Sequence, residues 1–475
     1  MVDVLCVNPL ERAKAFSFGG MIPLGLAWIS AVLEENGIEV EICDLEAEKV
    51  DFKEVIERIK PKIVCIGGTT HSRFESFRLA KVCKEVDSSI LTVYGGVHAT
   101  FTSEDTLSHI KDIDIIVRGE GELTVLELAK WRLKNQRTLE DILGISYRKN
   151  GQILHNSNRP RIQDLDSLPF PARHLCKMNL YDLKLDLLGV PAGSIMTARG
   201  CPINCSFCSA SSMWGKNYTY RSAVKIVNEI ELLLSKYGMK GIKFFDSTLT
   251  LNRPHIESIC DEILKRGLQF PWECEVRVGT VDKELLLRMK KAGCYYIDLG
   301  IESASDKVIK LMHKNINLNK AEELINLAYE LGIRTKVFFL FGHIGETMED
   351  ALMTSKFIDK HRNKIATLSS RVGVIIYPGT AVEQYARENG YLPKNFSWAE
   401  PYLNDKELEF LSAPPDIPVL IQPQLGLSEL KKLRRKELKG RFSNLKIIWA
   451  KIKKIRNKNE LKRFWAIAKE MIKKG

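Results

Sequence analysis

Three cysteines lie close together in the segment ARGCPINCSFCSA, which spans residues 198–210. Cys201, Cys205 and Cys208 follow the spacing C-x3-C-x2-C, directly after a predicted strand. Thiolates are preferred ligands of iron–sulfur clusters, and three of them leave one iron of a four-iron cluster without a protein ligand. An open coordination position indicates a metal centre that does chemistry. A zinc site is the alternative, and it would need His174 or Cys176 as a fourth ligand.

Glycines follow several predicted strands in the N-terminal third of the chain. They occur in the segments IGGTTHS (66–72), YGGVHAT (94–100) and VRGEGE (117–122). Glycines at strand ends let the backbone approach a ligand closely, and open α/β sheets bind ligands at these ends. The motifs of a dinucleotide site and of an ATP-binding P-loop are both absent, so neither nucleotide is favoured. Purely structural turns are the alternative.

Predicted strands and helices alternate along the first 145 residues. This alternation predicts a doubly wound parallel sheet with helices on both faces. The strands are predicted at residues 2–8, 38–43, 62–68, 90–96 and 114–122, and the helices at 23–36, 52–59 and 74–86. Asn150-Gly151 then predicts a tight hairpin turn, and the prolines of 159–173 predict an extended linker. We therefore assign residues 1–145 to a first domain and 146–190 to a hairpin and linker.

A second alternation begins near Ser194. About six strand–helix repeats predict a partial (β/α)6 barrel of the TIM type, whose chemistry lies at the carboxyl ends of the strands. The strands are predicted at residues 194–198, 242–246, 270–277, 295–302, 335–342 and 366–380. We assign residues 191–400 to this barrel. From Asp416 onward the pattern is wholly helical, so we assign 401–475 to a C-terminal helical extension.

The composition sets broad limits on the protein. A chain of 475 residues with 45% apolar residues predicts two domains and an appendage. The eleven cysteines are scattered through predicted strands and helices, which favours a reducing compartment over a disulfide framework. The N-terminus MVDVLCVNPL has no secretory signal pattern, and no stretch of 18 uncharged apolar residues occurs. We therefore expect a cytoplasmic protein.

The net charge of +12 is concentrated at the C-terminus. Residues 428–475 contain 18 lysines and arginines against 4 glutamates, so the rest of the chain is close to neutral. Apolar residues recur at helical spacing in two sets, which include Trp449 and Trp465. Basic amphipathic helices with tryptophan suit an anionic membrane surface. Packing on the barrel and binding of RNA phosphates are the alternatives, and we favour RNA least.

The cysteine motif and the segments after it resemble the radical S-adenosylmethionine (SAM) superfamily. The resemblance covers about residues 190–385 and includes an aromatic residue, Phe207, before the last cysteine. It implies that the cluster cleaves SAM to methionine and a 5′-deoxyadenosyl radical, which abstracts hydrogen from a substrate. It also implies SAM contacts in the segments FFDSTLTLN, CEVRVGTVD, LGIESAS and YPGT. The residues so implied are Asp246, Ser247, Thr248, Glu275, Arg277, Glu302 and Tyr377.

Two of these positions keep simpler alternatives. Arg277 could be a salt-bridge partner, and Glu302 could be a cap or half of an ion pair on the barrel floor. Ser247 stands where many relatives carry a second acid, which puts the contacts with the SAM amino group in doubt.

The N-terminal segments resemble the cobalamin-binding domain that precedes some radical SAM barrels. The resemblance lies in residues 21–44, in YGGVHAT and RGEGE, and in the linker LDSLPFPAR. The segment after the first strand, NPLERAKAFSFGG, has no histidine, so we expect cobalamin without the usual histidine as lower ligand. His71 and His98 lie on loops that could face the cofactor. The residues expected at the cofactor are Thr69, Thr70, Gly95, Gly96 and Glu120.

The combined resemblance implies a cobalamin-dependent radical SAM methyltransferase that acts on an unactivated carbon. Similar enzymes include hopanoid methylases and the anaerobic magnesium-protoporphyrin ester cyclase, so oxidative cyclisation or carbon–carbon coupling stays open. With the basic tail, this favours a lipid or isoprenoid substrate, with ferredoxin or flavodoxin as electron donor. A tRNA-modifying methylthiotransferase is less favoured, because Cys6, Cys43, Cys65 and Cys83 lie mostly within predicted strands or helices. A non-catalytic cobalamin or redox sensor is the third class.

Overall fold

The structure, a computed structural model, describes residues 2–11 and 20–442. Its N-terminal part alternates strands with helices, as the sequence predicts. These elements are β1 (Val4–Asn8), α1 (Leu24–Glu35), β2 (Val40–Asp44), α2 (Phe52–Ile59), β3 (Ile63–Ile66), α3 (Arg73–Val86), β4 (Leu91–Gly95), α4 (Val97–Phe101), α5 (Ser103–His109), β5 (Ile115–Val117), α6 (Glu122–Lys134), β6 (Ile145–Lys149) and β7 (Gln152–His155).

The N-terminal sheet has the strand order β2-β1-β3-β4-β5-β6-β7, and its first five strands are parallel. Separate apolar cores lie on its two faces, one under α1 and α6 and the other under α2 and α3. The predicted doubly wound sheet is therefore confirmed. The order 2-1-3-4-5 places the topological switch point between β1 and β3, where open α/β sheets bind ligands.

The hairpin corrects one predicted boundary. Asn150 and Gly151 both have positive φ, 53° and 77°, as the predicted tight turn requires. However, β6 pairs antiparallel with β5, and β7 pairs with β6. The hairpin thus extends the N-terminal sheet and does not belong to the linker. Sequence could not show this, because a hairpin reads the same whether it stands alone or joins an edge strand.

The second part forms the expected open barrel. Its elements are β8 (Ala192–Ile195), β9 (Ala198–Arg199), α7 (Ala210–Trp214), β10 (Thr219–Tyr220), α8 (Ala223–Ser235), β11 (Gly241–Phe244), α9 (Arg253–Lys265), β12 (Trp272–Val276), α10 (Lys283–Lys291), β13 (Cys294–Glu302), α11 (Asp306–Leu311), α12 (Leu318–Glu330), β14 (Arg334–Phe341), α13 (Met348–His361) and β15 (Thr367–Val372). Six strands pair in parallel in the order β15-β14-β13-β12-β11-β8.

Side chains on the barrel strands alternate between the helices and the lumen. On β12, Trp272, Cys274 and Val276 are buried in the core that the helices cover. The alternate residues Glu273 and Glu275 therefore point into the lumen. Chemistry is thus placed on the inner face, while the outer face holds the barrel together.

The C-terminal segment packs on both halves of the chain. Its elements are β16 (Val374–Ile375), α14 (Ala381–Glu388), β17 (Val419–Leu420) and α15 (Leu427–Phe442). Because β17 pairs antiparallel with β16, the expectation of a wholly helical chain from Asp416 is wrong there. Leu430 and Leu433 of α15 are buried in the barrel core, so this start of the basic tail packs on the barrel.

The rest of the basic tail, with Trp449 and Trp465, lies outside the described residues. Within residues 2–11 and 20–442, no helix is both long and apolar enough to cross a bilayer.

Candidate functional site

The three motif cysteines lie on one loop at the mouth of the barrel. The loop leaves β9 through Gly200, whose φ of 104° favours glycine, and the Cys201 amide donates to the Gly215 carbonyl at 3.1 Å. The Cys208 amide donates to the Cys205 carbonyl, also at 3.1 Å, which folds the loop tightly. All three thiols are at least partly accessible, whereas the other eight cysteines of the chain are buried.

The zinc alternative lacks its fourth ligand. His174 is exposed and pairs with Glu34 at 3.0 Å, and Cys176 is buried beside Tyr181. Among the described residues, no three side chains of His, Cys, Asp or Glu surround a single point as one metal ion requires. Thiolates on a four-iron cluster bind separate irons and need not converge on one point. The donor set therefore fits a cluster with one open iron.

Cationic side chains face the cysteine loop. Lys314 lies 5.8 Å from the Phe207 ring and, with Arg277, is close enough to oppose the rise that burial causes in the pKa of Cys205, to about 11. The Arg277 guanidinium donates to the backbone carbonyls of Lys314 and Asn315. Arg277 forms no salt bridge among the described residues, which sets aside that alternative. Positive charge here suits an anionic cluster or the carboxylate of a ligand.

Acidic side chains line the lumen beside these cations. Glu275 is accessible to solvent yet ringed by protein, and burial together with Asp298 raises its pKa to about 7. Glu302 has φ of 69°, a left-handed conformation rare for glutamate, and pairs with Lys314 at 2.8 Å. The ion-pair alternative for Glu302 is therefore what the structure contains, at the barrel mouth and not at its floor.

Asp246 lies at the carboxyl end of β11 and is 3% exposed. Its Oδ1 accepts from the amides of Thr197 and Ala198 at 2.8 and 2.6 Å, so it fixes the strand that leads to the cysteines. Its Oδ2 is buried without a hydrogen-bond partner in the described structure, and burial raises the pKa of Asp246 to about 6. Ser247 is exposed and Thr248 is half-buried beside it. An orphaned carboxylate oxygen fits a ligand that brings an ammonium group.

The glycine-rich strand ends of the first domain differ in what they can do. A Cβ on Gly95 would meet only Val117, at 3.7 Å, so backbone there can be approached. Gly96 has φ of 106°, and a Cβ on it would lie 2.6 Å from the Gly68 carbonyl oxygen. Gly96 is therefore required for the contact between two loops, whether or not a ligand binds. Thr69 is half-buried and donates to Glu11 at 2.9 Å.

Three other predicted positions point inward. Thr70 is buried, and its hydroxyl lies 3.2 Å from His98, which is fully buried and so does not face a cofactor. Both carboxylate oxygens of Glu120 are used within the protein, by Arg199 at 2.7 Å and by the Ile162 amide at 2.6 Å. These hydrogen bonds within the protein do not favour direct contact with a cofactor. Of the expected positions, Gly95 and Thr69 stay partly accessible at the strand ends.

Tyr377 contacts the N-terminal domain directly. Its hydroxyl is 2.8 Å from Nε2 of His71, on the loop after β3. The two domains therefore meet with the carboxyl ends of their strands facing one another. Sequence reasoning missed Arg199 and Lys314, which contact this region. The arginine directly before the Gly-Cys of the motif was a visible signal, whereas nothing in the sequence singles out Lys314.

Comparisons with known proteins match the two halves separately. The family model of the radical SAM superfamily matches residues 195–358, and that of the B12 binding domain matches residues 17–129. An uncharacterized methyltransferase of Pyrococcus horikoshii is 37% identical over 78% of this chain and 79% of its own length. The anaerobic magnesium-protoporphyrin IX monomethyl ester cyclase of Cereibacter sphaeroides is 32% identical over 70% of this chain and 55% of its own.

A solved structure shares the whole arrangement of domains. It is a radical SAM methyltransferase from Kitasatospora setae with tryptophan substrate and a SAM analogue bound. The two structures superpose with a TM-score of 0.73 at 20% identity, over 93% of this chain and 89% of the other. At this identity the likeness shows the fold alone.

Proposed function

Since this chain belongs to the radical SAM superfamily and carries a B12-binding domain, we propose that it methylates an unactivated carbon of a small hydrophobic substrate. Its cofactors are a 4Fe–4S cluster, SAM and cobalamin. When bound, these groups supply hydrogen-atom abstraction and methyl transfer. The protein itself positions these groups relative to one another and excludes water from them.

In this proposal the cysteine loop holds the cluster. Cys201, Cys205 and Cys208 supply the three thiolates, and the cations Arg277 and Lys314 balance their charge. Asp246 receives the amino group of SAM at its orphaned Oδ2. Glu275, with its raised pKa, faces the same lumen and contacts the polar part of SAM.

One observation carries the proposal: the hydrogen bond between His71 and Tyr377 joins the ends of β3 and of the last barrel strand. Barrels and open α/β sheets both bind their ligands at the carboxyl ends of strands. A substrate between the two faces would therefore reach both cofactors. Two independent ligand sites would not require the strand ends of the two domains to face one another.

The substrate class is inferred from two features. The cyclase relative is named for an esterified porphyrin, magnesium-protoporphyrin IX monomethyl ester. Residues 443–475 are basic and carry apolar residues at helical spacing. We therefore favour a lipid or isoprenoid that is presented at an anionic membrane surface, with cytoplasmic ferredoxin or flavodoxin as the one-electron donor. Nucleic acid is not favoured, because the described domains are close to neutral outside the tail.

Product analysis tests the reaction class. The chain is reconstituted anaerobically with iron, sulfide, cobalamin and SAM, reduced, and given candidate lipids. Methyl transfer predicts S-adenosylhomocysteine together with 5′-deoxyadenosine. Release of 5′-deoxyadenosine alone, with a substrate that loses hydrogen, would favour oxidative cyclisation or carbon–carbon coupling instead.

The methylthiotransferase alternative would need a second cluster on N-terminal cysteines. Cys6, Cys43, Cys65 and Cys83 are all buried, whereas the three motif cysteines are at least partly accessible. Buried cysteines of this kind suit core packing and not metal binding. This alternative is therefore not favoured, and iron analysis that finds only four irons per chain would agree.

A further inference from the structure

Arg199 lies two residues before Cys201, and its charged side chain is only 4% exposed. Its guanidinium donates to Glu120 at 2.7 Å and to Glu122 at 2.5 Å. Both acids belong to the N-terminal domain and are themselves 8% and 4% exposed. The two domains therefore share a buried ion triad at the start of the cysteine loop. Removing the arginine would leave two buried carboxylates without their counter-charge, and neutralising one glutamate would leave the arginine with a single charged acceptor.

Two tryptophans enclose the same guanidinium. Its central carbon lies 5.2 Å from the ring of Trp28 and 5.3 Å from the ring of Trp214. Trp28 lies on α1 of the N-terminal domain, and Trp214 ends α7, the helix that follows Cys208. One side chain thus contacts the residues after the cysteine loop and two separate elements of the other domain. A planar guanidinium can bridge two carboxylates and stack on two rings, which an ammonium group cannot do.

The rest of the loop is held by contacts with the barrel and with the linker. Cys201 donates to the Gly215 carbonyl, and Arg161 of the linker donates to Asn217 and, at 3.0 Å, to the hydroxyl of Thr219. On the far side, the Ser206 hydroxyl lies 2.7 Å from His343. Arg199 joins the N-terminal domain to β9, the strand that directly precedes the first ligand.

We propose that Arg199 is a positioning residue for the cysteine loop, held from the N-terminal domain by Glu120 and Glu122. This rests on the proposed function only in taking the three cysteines as cluster ligands. A loop that must place three thiolates on three irons tolerates little displacement, and residues that orient metal ligands affect affinity strongly. The N-terminal domain therefore contributes to cluster retention as well as to cobalamin binding.

The test measures cluster retention in the full chain. Arg199→Lys keeps the positive charge but loses the planar guanidinium that donates to two carboxylates. Glu122→Gln keeps the shape of the side chain but removes a negative charge from the N-terminal domain. After anaerobic reconstitution, we expect either variant to lose iron to a chelator ~10-fold to 100-fold faster than the wild type. We also expect an altered electron paramagnetic resonance spectrum of the reduced cluster in the presence of SAM.

Arg73→Lys is the matched control. Arg73 is 1% exposed, pairs with Asp416 at 3.1 Å and stacks near Trp398, and it also joins the two halves of the chain. It makes no contact with the cysteine loop among its described hydrogen bonds and ring contacts. Fast iron loss in the Arg199 and Glu122 variants, with wild-type retention in Arg73→Lys, supports the proposal.

Equal iron loss in all three variants, at equal melting temperature, would overturn it, because general interface stability would then explain cluster retention. Unchanged iron retention in both test variants would overturn it as well. If Arg199→Lys does not fold, Glu122→Gln carries the test, since the amide preserves size. A wild-type chain that binds no cluster would instead refute the ligand assignment and the proposed function.

Discussion

His71 and Tyr377 join the two domains through a direct hydrogen bond of 2.8 Å, with their rings edge to face at 5.7 Å. Burial, with Arg371 and Arg73 nearby, lowers the pKa of His71 to about 4. The imidazole is therefore neutral over the range in which such an enzyme is assayed. A neutral ring can keep this bond to a phenol without carrying a charge into the domain interface.

The depressed pKa of His71 predicts how stability depends on pH. Its folded value, about 4, lies below the usual 6.5, so between these values the unfolded chain binds a proton that the folded chain does not. The contribution is fully present above pH 6.5 and is lost as pH falls toward 4. His71→Gln should flatten this part of the stability profile in denaturant titrations.

The raised pKa of Glu346 predicts that stability depends on pH with the opposite sign. It is fully buried and accepts from the amides of Gly342 and His343, yet burial raises its pKa to about 7 from 4.5. The folded chain then binds the extra proton between these values, so stability falls as pH rises from 4.5 to 7. At 1.36 kcal/mol per unit, the loss above pH 7 is about 3 kcal/mol.

Glu346→Gln should abolish that loss, because the amide oxygen can still accept from the backbone. Chemical denaturation at pH 5 and pH 8 measures it. A variant with the same difference between the two pH values as the wild type would contradict the assignment. The wild type, measured at the same two pH values, provides the comparison.

Replacement of a single motif cysteine tests the cluster. Cys201→Ala, Cys205→Ala or Cys208→Ala should each abolish 5′-deoxyadenosine formation, because three thiolates are needed to hold a cluster with one open iron. Iron content and 5′-deoxyadenosine are measured after anaerobic reconstitution. Cys260→Ala, at a buried cysteine in α9, should retain both. SAM cleavage that survives in any motif variant would refute the assignment.

Asp246→Asn tests the contact with SAM. The amide can keep Oδ1 as acceptor for Thr197 and Ala198, while the orphaned Oδ2 becomes a donor. Loss of a charge-assisted hydrogen bond costs about 1.5–3 kcal/mol, which predicts SAM affinity weaker by roughly 10-fold to 150-fold. Equilibrium binding to the cluster-loaded chain measures this. Asp359→Asn, on the exposed side of α13, should bind SAM as the wild type does.

Local pattern predicted what depends on near neighbours along the chain. Helix α2 was predicted at its observed bounds, because Asp51 caps it and apolar residues recur at helical spacing. Long-range partners could not be predicted in this way. Glu120 was expected at the cofactor, but it pairs with Arg199, 79 residues away. Gly96 was expected to admit a ligand, but the close approach of the Gly68 carbonyl already requires a glycine at this position. Such contacts depend on how separate elements meet in space.

The basic tail gives the last prediction, and the structure determines where to cut it. Leu430 and Leu433 are buried in the barrel core, and the Glu437 carboxylate accepts from Ser370 at 2.8 Å. A chain ending at residue 427 would therefore lose part of its core, whereas one ending at 442 keeps α15. The 1–442 chain is the proper comparison with the full chain.

We expect the full chain to sediment with anionic vesicles and the 1–442 chain to stay in solution. Attraction of about 1 kcal/mol per basic side chain acts at the surface and weakens as salt rises. The apolar residues around Trp449 and Trp465 would add binding that resists salt. Neutral vesicles should capture less of the full chain at low salt.

If the full chain stays in the supernatant with anionic vesicles at low salt, the membrane proposal is wrong. If 1–442 is insoluble, residues 443–475 belong to the fold. A soluble, cluster-loaded 1–442 chain that no longer sediments would support a substrate drawn from the membrane.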